Sequence, residues 1–315
     1  MMKKYLLAIL VLLTCSPLLR ALTPDGTFMF ARRDTCDLYL DIYRPAEGAA
    51  TTLDGKEKPA LLFVFGGGFI IGARNESWYF PWFQALLDEG YPIVAVDYRL
   101  GLKGVRMRFD PFHLIESAKL AKRAVDMGVE DVFSAVEFLF AHPELGIDPE
   151  NLVIMGNSAG AMISLSSEWE ACNHGALAAN LPEDFHFKGV MSFAGAIMSD
   201  TGVPVYKRTP APQLLIHGTV DGAVTYTKTA FGRYGMFGSS ALVEKVFARN
   251  GYIYQFYRYK DHTHDMAGNM FYNMPEQIRF LEEEVIRGRG RVIDAMVDDA
   301  GMHVGELIDL SMIYK

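Results

Sequence analysis

The residues best suited to do chemistry in this chain are Ser158, Asp221 and His264, which occur in that order. Ser158 is the centre of a Gly-x-Ser-x-Gly pentapeptide that follows the apolar run 152–155 and precedes a helix-compatible stretch, 161–170. A strand, a sharp turn and a helix in succession hold such a serine in strained backbone, with its hydroxyl exposed above the sheet. The pattern therefore predicts a serine nucleophile at this turn.

A serine hydroxyl reacts readily only when a base removes its proton and a third group orients that base. Asp221 lies in the loop after a predicted buried strand, 211–218. His264 follows a later predicted strand, 252–257. Serine, acid and histidine therefore stand in the chain order that this kind of turn uses. We predict that Asp221 orients His264 and that His264 takes the proton of Ser158.

Both partners of the serine have competitors. His262 is the alternative base, and His264 is preferred because it leads directly into the next helical segment. Asp200, after the preceding predicted strand, is a second candidate acid, and Asp221 itself could be an ordinary residue of an Asp-Gly turn. His217, at a strand end, is interpreted as structural.

Acyl chemistry also needs backbone N–H groups pointed at the place where negative charge develops. The predicted strand 59–65 is followed at once by three glycines, 66–68. Successive glycines leave their amides unobstructed by side chains. The sequence therefore predicts an oxyanion-binding loop after this strand.

With these motifs the chain resembles the alpha/beta-hydrolases of the carboxylesterase and hormone-sensitive-lipase-like type. It is especially similar to the secreted bacterial esterases that remove acetyl or feruloyl groups from plant polysaccharides. The matching segments are 65–69, 96–100, 156–160, 217–221 and 264–266, in the family's order.

The resemblance implies an α/β fold with a mostly parallel, eight-stranded sheet and helices on both faces. It implies that Ser158 is the nucleophile, Asp221 the acid and His264 the base. The oxyanion hole would be formed by the amides of Gly67, Gly68 and Ala159. No metal and no organic cofactor is implied.

One position departs from the family pattern. The glycine motif usually opens with a histidine that braces the loop through hydrogen bonds, and Phe65 stands there in this chain. Phenylalanine cannot make those bonds, but the amide donors do not depend on it. Asp97, Tyr98 and Arg99, after the predicted strand 93–96, are interpreted as a network that braces the loops.

The first 21 residues read as a signal peptide, with Lys3 and Lys4 before a short apolar stretch. Secretion or a periplasmic location is therefore expected. The run ending at Cys15 resembles a lipoprotein box, so a lipid anchor at Cys15 is an alternative. No later apolar run is long enough for a membrane-spanning helix.

Length and composition suit a single α/β domain, and the resemblance implies one α/β-hydrolase domain over residues 22–315, in which 288–315 is an extension that the pattern does not place. Half of the residues are hydrophobic, which suits a large core, and the formal charge of −8 gives no basic surface for nucleic acid. Cys36 and Cys172 could pair or remain free thiols, and their spacing decides neither.

Strands alternate with helices along the chain, which predicts a parallel sheet covered on both faces. Helices are expected at 77–89 and at 113–141, the latter with a break at Gly128. Loops over the carboxyl ends of the strands would shape the substrate pocket. These loops are 77–83, 102–112 and 224–239.

The expected reaction is two-step acyl transfer on a small ester, with short acyl or feruloyl esters of carbohydrates as the substrate class. Two other classes remain. A serine peptidase or another acyl hydrolase can use the same residues on the same fold. A non-catalytic binding protein of this fold is the other alternative, although such a protein would be expected to lose one of the three residues.

Overall fold

The structure is a computed structural model that describes residues 22–299, 301–307 and 313–314. Fourteen strands lie in these ranges. In chain order they are β1 (Gly26–Arg32), β2 (Asp37–Tyr43), β3 (Thr52–Leu53), β4 (Lys56–Glu57), β5 (Ala60–Val64), β6 (Ile93–Val96), β7 (Leu152–Asn157), β8 (Gly189–Phe193), β9 (Ala196–Ser199), β10 (Gln213–Gly218), β11 (Lys228–Phe231), β12 (Tyr234–Gly238), β13 (Tyr254–Tyr259) and β14 (Ile293–Val297).

Nine of these strands form one sheet, in the order β1-β2-β6-β5-β7-β8-β10-β13-β14. The pairs β1–β2 and β2–β6 are antiparallel, and every later pair is parallel. Every residue of β5, β7, β8 and β10 is buried, so both faces of the central sheet are covered. This is why the central strands read as unbroken apolar runs in the sequence. The predicted mostly parallel α/β architecture is confirmed.

Helices connect the parallel strands. They are α1 (Phe80–Asp88), α2 (Leu114–Ala141), α3 (Ala159–Asn173), α4 (Ser239–Leu242), α5 (Ala248–Asn250) and α6 (Met274–Phe280). A π-helical segment, Val243–Phe247, joins α4 to α5, and another, Leu281–Ile286, extends α6.

The predicted break at Gly128 is wrong, because α2 runs through it without interruption. A Cβ atom at Gly128 would lie 2.4 Å from Cδ1 of Ile163 in α3. The glycine therefore allows two helices to pack closely, and it costs α2 only a modest loss of helix propensity. The glycine at this position is therefore explained by helix packing, and it does not mark a turn.

Two smaller sheets lie outside the nine-stranded sheet. β11, β12 and β9 form an antiparallel sheet, so the predicted loop 224–239 contains a hairpin. β3 and β4 pair as a second short hairpin. Both are brief or partly polar, and this weakens their alternation pattern.

The extension 288–315 contributes to the fold. β14 pairs in parallel with β13, and this accounts for a ninth strand where eight were expected. The predicted signal peptide, 1–21, and the candidate anchor Cys15 lie outside the described residues. Cys36 is exposed and Cys172 is buried, and both are free thiols. No described helix combines the length and the apolarity that a membrane crossing requires.

Candidate active site

Ser158 lies at the sharp turn between β7 and α3. Its backbone has φ 52° and ψ −121°, a conformation that L-residues rarely adopt, and its amide donates to the carbonyl of Phe193 over 2.9 Å. A Cβ atom at Gly160 would lie 2.0 Å from the carbonyl oxygen of Val64, so only glycine allows α3 to cross β5 this closely. The turn therefore holds the serine in the strained geometry that the sequence predicts.

His264 stands between the serine and an aspartate. Its Nε2 lies 2.7 Å from Ser158 Oγ, and its Nδ1 lies 2.8 Å from Asp221 Oδ2. The ring belongs to a 3₁₀ turn, His264–Ala267, after β13, and Thr263 caps this turn by accepting from the Asp265 amide. The structure thus brings together the three residues that the sequence predicted to act as one unit.

Asp221 is held by four hydrogen-bond donors in the loop after β10. Its Oδ1 accepts from the amides of Ala223 and Val224, over 2.9 and 3.0 Å. Its Oδ2 faces His264 and His217. Burial alone would raise the pKa of Asp221, but the hydrogen bonds from His217 and His264 outweigh it and hold that pKa well below its usual range. The carboxylate is therefore ionised at neutral pH.

His217 is a fully buried residue that contacts the aspartate, which the sequence interpretation did not foresee. Its Nε2 lies 3.1 Å from Asp221 Oδ2 and 3.0 Å from the carbonyl oxygen of Val224. Both partners are acceptors, so we assign the hydrogen to Nε2. Its Nδ1 lies 2.9 Å from Ser239 Oγ, which can donate to it. The available signal was the spacing of four residues between His217 and Asp221.

The alternative residues lie elsewhere. His262 is buried, and its Nδ1 lies 2.8 Å from Asp265 Oδ2. Asp200 forms an ion pair of 3.0 Å with Arg233 near the protein surface. Neither residue is a hydrogen-bond partner of Ser158 or Asp221 among the described contacts.

The glycine loop contains two of the three predicted donors. Gly67 has φ 123°, and a Cβ there would lie 2.0 Å from the carbonyl oxygen of Ile71. Within residues 22–299, 301–307 and 313–314, no protein acceptor takes the amides of Gly67 or Gly68. Ala159 is the first residue of α3, where amides have no partner within the helix. These three N–H groups are therefore available to a ligand.

Phe65 braces the loop by stacking. Its ring lies 4.4 Å from that of Tyr98 at an interplanar angle of 27°, and Tyr98 Oη donates to the Phe65 carbonyl over 3.0 Å. An aromatic stack and a hydrogen bond therefore brace the loop at the position where the resemblance implies a histidine.

Ion pairs fix the neighbouring loops, as the interpretation of residues 97–99 anticipated. Arg74 donates to Asp97 over 2.6 Å and pairs with the buried Asp41 over 2.9 Å. Arg99 pairs with the buried Asp131 over 2.9 Å. These contacts connect the segment after β6 to Arg74, which follows the glycine loop, and to α2.

A second set of hydrogen bonds, which the sequence did not indicate, connects three parts of the site. Tyr79 Oη accepts from the Gly66 amide and donates to Asn157 Oδ1, both over 3.3 Å. Asn157 in turn donates to the Ala267 carbonyl over 2.9 Å. The glycine loop, the serine turn and the histidine turn are therefore tied together through buried polar side chains.

Two spaces meet at Ser158. The first, which we call the inner cavity, encloses about 50 Å³ and is almost entirely apolar. Its lining includes Phe69, Met107, Phe109, Met162, Met198, Val224, Phe231 and Met236. The second, the outer groove, is open to solvent and holds about 510 Å³. Its lining includes Ile70, Ile71, Trp78, His264, Asp265 and Glu306.

Over the part of the chain that the structure describes, no three His, Cys, Asp or Glu side chains are grouped so that they could hold a metal ion.

Comparison with protein families gives two overlapping matches. Residues 21–168 match the model of the carboxylesterase family, and residues 121–267 match an alpha/beta hydrolase fold model. The first match contains the glycine loop and Ser158, and the second contains Ser158, Asp221 and His264.

Curated relatives are similar over part of the chain. Secreted lipase 1 of Botryotinia fuckeliana is 30% identical over 168 residues, which are 53% of this chain and 26% of the lipase. Lipase 1 of Geotrichum candidum is 29% identical over 40% of this chain and 21% of its own length. A non-reducing polyketide synthase of Penicillium brasilianum is 26% identical over 47% of this chain and 5% of the synthase. The chain therefore spans about a quarter or less of the length of these relatives.

Solved structures share the fold. The apo form of Thermogutta terrifontis esterase 2 superposes with a TM-score of 0.57 at 21% identity, covering 85% of this chain and 96% of that one. The propionate-bound form of the same esterase gives a TM-score of 0.57 at 20% identity, covering 86% and 96%.

Proposed function

Because the chain belongs to the alpha/beta-hydrolase superfamily, we propose that it is a serine carboxylesterase working through an acyl-enzyme. The observation that carries the proposal is the hydrogen-bonded line from Ser158 through His264 to Asp221, with distances of 2.7 and 2.8 Å. A nucleophile, a base and an orienting carboxylate in direct contact supply the attacking oxygen and the proton transfers that acyl transfer requires.

In the proposed reaction, Ser158 Oγ attacks the ester carbonyl while His264 Nε2 takes its proton. Asp221 accepts the hydrogen bond from His264 Nδ1, which keeps the Nε2 lone pair directed at the serine and stabilises the imidazolium. The alcohol leaves with the proton from His264. Water then attacks the acyl-enzyme by the same steps and releases the acid.

The amides of Gly67, Gly68 and Ala159 are proposed to bind the oxyanion of each tetrahedral intermediate. Their lack of an acceptor among the described residues and the positive φ angles of Gly67 and Gly68 support this role. Preorganised donors of this kind contribute roughly 3–4 kcal/mol each to the transition state.

The inner cavity is proposed to receive the acyl group. On the same measure a single water needs about 10–15 Å³, so a cavity of about 50 Å³ admits only a few heavy atoms. We therefore favour short aliphatic acyl groups over a feruloyl group, whose aromatic ring is much larger. Thermogutta terrifontis esterase 2 was solved with propionate and with butyrate bound, which supports this choice.

The outer groove is proposed to receive the alcohol, and we propose a carbohydrate there. Trp78 is about half exposed at the groove and offers an aromatic face, while Asp265 and Glu306 offer carboxylate acceptors for hydroxyl groups. The predicted signal peptide, 1–21, fits an acylated polysaccharide outside the cytoplasm as the source of the ester.

The decisive experiment measures hydrolysis of p-nitrophenyl acetate and butyrate by the wild-type protein and by Ser158→Ala. We expect the substitution to reduce kcat/KM by about 10⁴-fold or more, with an unchanged circular dichroism spectrum. Activity that survives the substitution at the wild-type level would show that another residue is the nucleophile. Butyryl p-nitroanilide provides the amide control, and a preference for it would favour a peptidase.

The natural substrate class is tested by comparing kcat/KM for acetylated xylan fragments, methyl ferulate and a long-chain triglyceride. We expect the acetylated fragments to be preferred. A clear preference for the triglyceride would overturn the carbohydrate proposal and leave the esterase proposal intact.

A further inference from the structure

The inner cavity and the outer groove share three lining residues, Gly68, Ser158 and Ile313. Gly68 and Ser158 belong to the proposed catalytic machinery. Ile313 comes from the C-terminal segment, far from both in the sequence. A methyl group placed on Gly68 would lie 3.2 Å from Ile313 Cγ2, so the isoleucine packs directly against the glycine loop. Ile313 therefore stands between the two spaces at the position of the serine.

Tyr314, the neighbour of Ile313, contacts the glycine loop directly. Its Oη donates to the carbonyl oxygen of Gly68 over 2.9 Å, and its ring lies 6.1 Å from that of Phe109. Tyr314 also lines the inner cavity, and burial raises the pKa of its hydroxyl to about 12. The tyrosine thus adds an aromatic wall to the cavity and a polar tether to the loop that carries two of the proposed oxyanion donors.

We propose that Ile313 and Tyr314 form the outer wall of the acyl cavity and set the upper limit on acyl-chain length. The inference rests on the proposed esterase function, which it extends from short esters in general to a named pair of residues that selects them. The rest of the cavity is built by helices, strands and loops of the main fold. The wall formed by this pair comes from the C-terminal segment.

The expected consequence follows from the geometry. Removing the two side chains joins the inner cavity to the outer groove beside Ser158, so a longer acyl chain gains a path past the serine. Apolar contacts of one methylene discriminate between substrates by roughly 10- to 200-fold. A change of wall should therefore alter the ratios of rates between acyl lengths, and these ratios do not depend on a loss of rate that all the esters share through the tether to Gly68.

The test compares kcat/KM for p-nitrophenyl acetate, butyrate and octanoate in the wild type and in the double variant Ile313→Ala with Tyr314→Ala. We expect the ratio of octanoate to butyrate to rise about tenfold or more. Ile313→Phe should act in the opposite direction and lower the ratio of butyrate to acetate several-fold. Ile313→Phe also tests the wall proposal by itself if the double variant does not fold.

Val304→Ala is the matched control, because it removes a β-branched side chain from the same segment at an exposed position that lines neither space. Its three rates should match those of the wild type. If activity depends on Ser158 but Ile313→Phe and the double variant keep the wild-type ratios, the wall proposal is wrong and the esterase proposal stands. If the wild type hydrolyses none of the three esters, both are wrong.

Discussion

Two histidines follow β13, and each is paired with an aspartate in a similar way. In one, His264 Nδ1 lies 2.8 Å from Asp221 Oδ2, and in the other His262 Nδ1 lies 2.8 Å from Asp265 Oδ2. Only Thr263 separates the two histidines in the chain. Residue types, atoms and distances therefore do not distinguish the pairs.

The difference lies in the second ring nitrogen. His264 Nε2 faces Ser158 Oγ over 2.7 Å, whereas the ring of His262 is buried edge-on against Tyr259. The surroundings differ as well. The Asp221 side chain is fully buried, while that of Asp265 is 11% exposed at the outer groove. A carboxylate partner on Nδ1 therefore does not identify a candidate base. The group that contacts the other ring nitrogen, Nε2, does.

The largest effect that separates the pairs should come from the histidines. His264→Ala removes the proposed proton acceptor of Ser158, and we expect kcat/KM for p-nitrophenyl butyrate to fall by about 10³- to 10⁵-fold. His262→Ala should cost less than about tenfold, because no described contact joins its ring to the serine. The reverse ranking in steady-state kinetics would give the role of base to His262.

The second largest difference should come from the two aspartates. Asp221→Asn keeps the shape of the side chain but removes the charge that orients His264, so a loss of about 10³- to 10⁴-fold in kcat is expected. Asp265→Asn is the matched substitution in the other pair and should leave kcat within about tenfold. Equal losses in the two variants would mean that the two pairs act jointly, and would contradict the proposal that only Asp221 assists the catalytic histidine.

His217 supports only one of the pairs, so its removal should weaken that pair selectively. His217→Phe deletes the hydrogen bond to Asp221, and because bonds to charged groups contribute about 1.5–3 kcal/mol, kcat should fall roughly 10- to 100-fold. His217→Gln, whose amide can donate from a similar position, should recover part of the rate. A purely structural role would lower the melting temperature of both variants without this recovery of kcat.

The smallest effect should appear at acidic pH, in the free energy of unfolding. Because the pKa of Asp221 is lowered in the folded protein, its contribution to stability is complete above the ordinary pKa, near 4, and is lost as the pH falls through that value toward the folded one. Asp221→Asn lacks this contribution. The free energy of unfolding in urea should therefore fall less steeply between about pH 5 and pH 3 in the variant, by on the order of 1 kcal/mol. Parallel curves would contradict the lowered pKa.

Much of the scaffold could be predicted because its signal is local. Buried parallel strands such as β5, β7 and β10 appear as apolar runs, and the serine turn is written in five consecutive residues. The sequence also placed Ser158, Asp221 and His264 after strand ends that the sheet then brings together. It preferred His264 to His262 only from its place before a helical segment, since the direction of a ring is a property of the fold.

The remaining features depend on contacts between distant residues. Gly128 looks like a helix break until Ile163 is seen beside it in α3. The hydrogen bond from Tyr314 to Gly68 spans 246 positions, and no periodicity encodes it. The ninth strand was missed for the same reason, because β14 alternates half-buried and exposed residues and is defined mainly by its neighbour β13.

The ninth strand, β14, also affects how the sheet is completed during protein synthesis. β14 is the last of the described strands to leave the ribosome, so β13 stays without a partner on one side until it arrives. An unpaired strand edge is a template for pairing with other chains. Once β14 has docked, Arg258 pairs with Asp294 over 2.8 Å and Lys260 with Asp298 over 2.8 Å, which places charges along the finished border. A chain that ends before residue 293 would leave the edge of β13 unpaired. We expect such a chain to aggregate during expression.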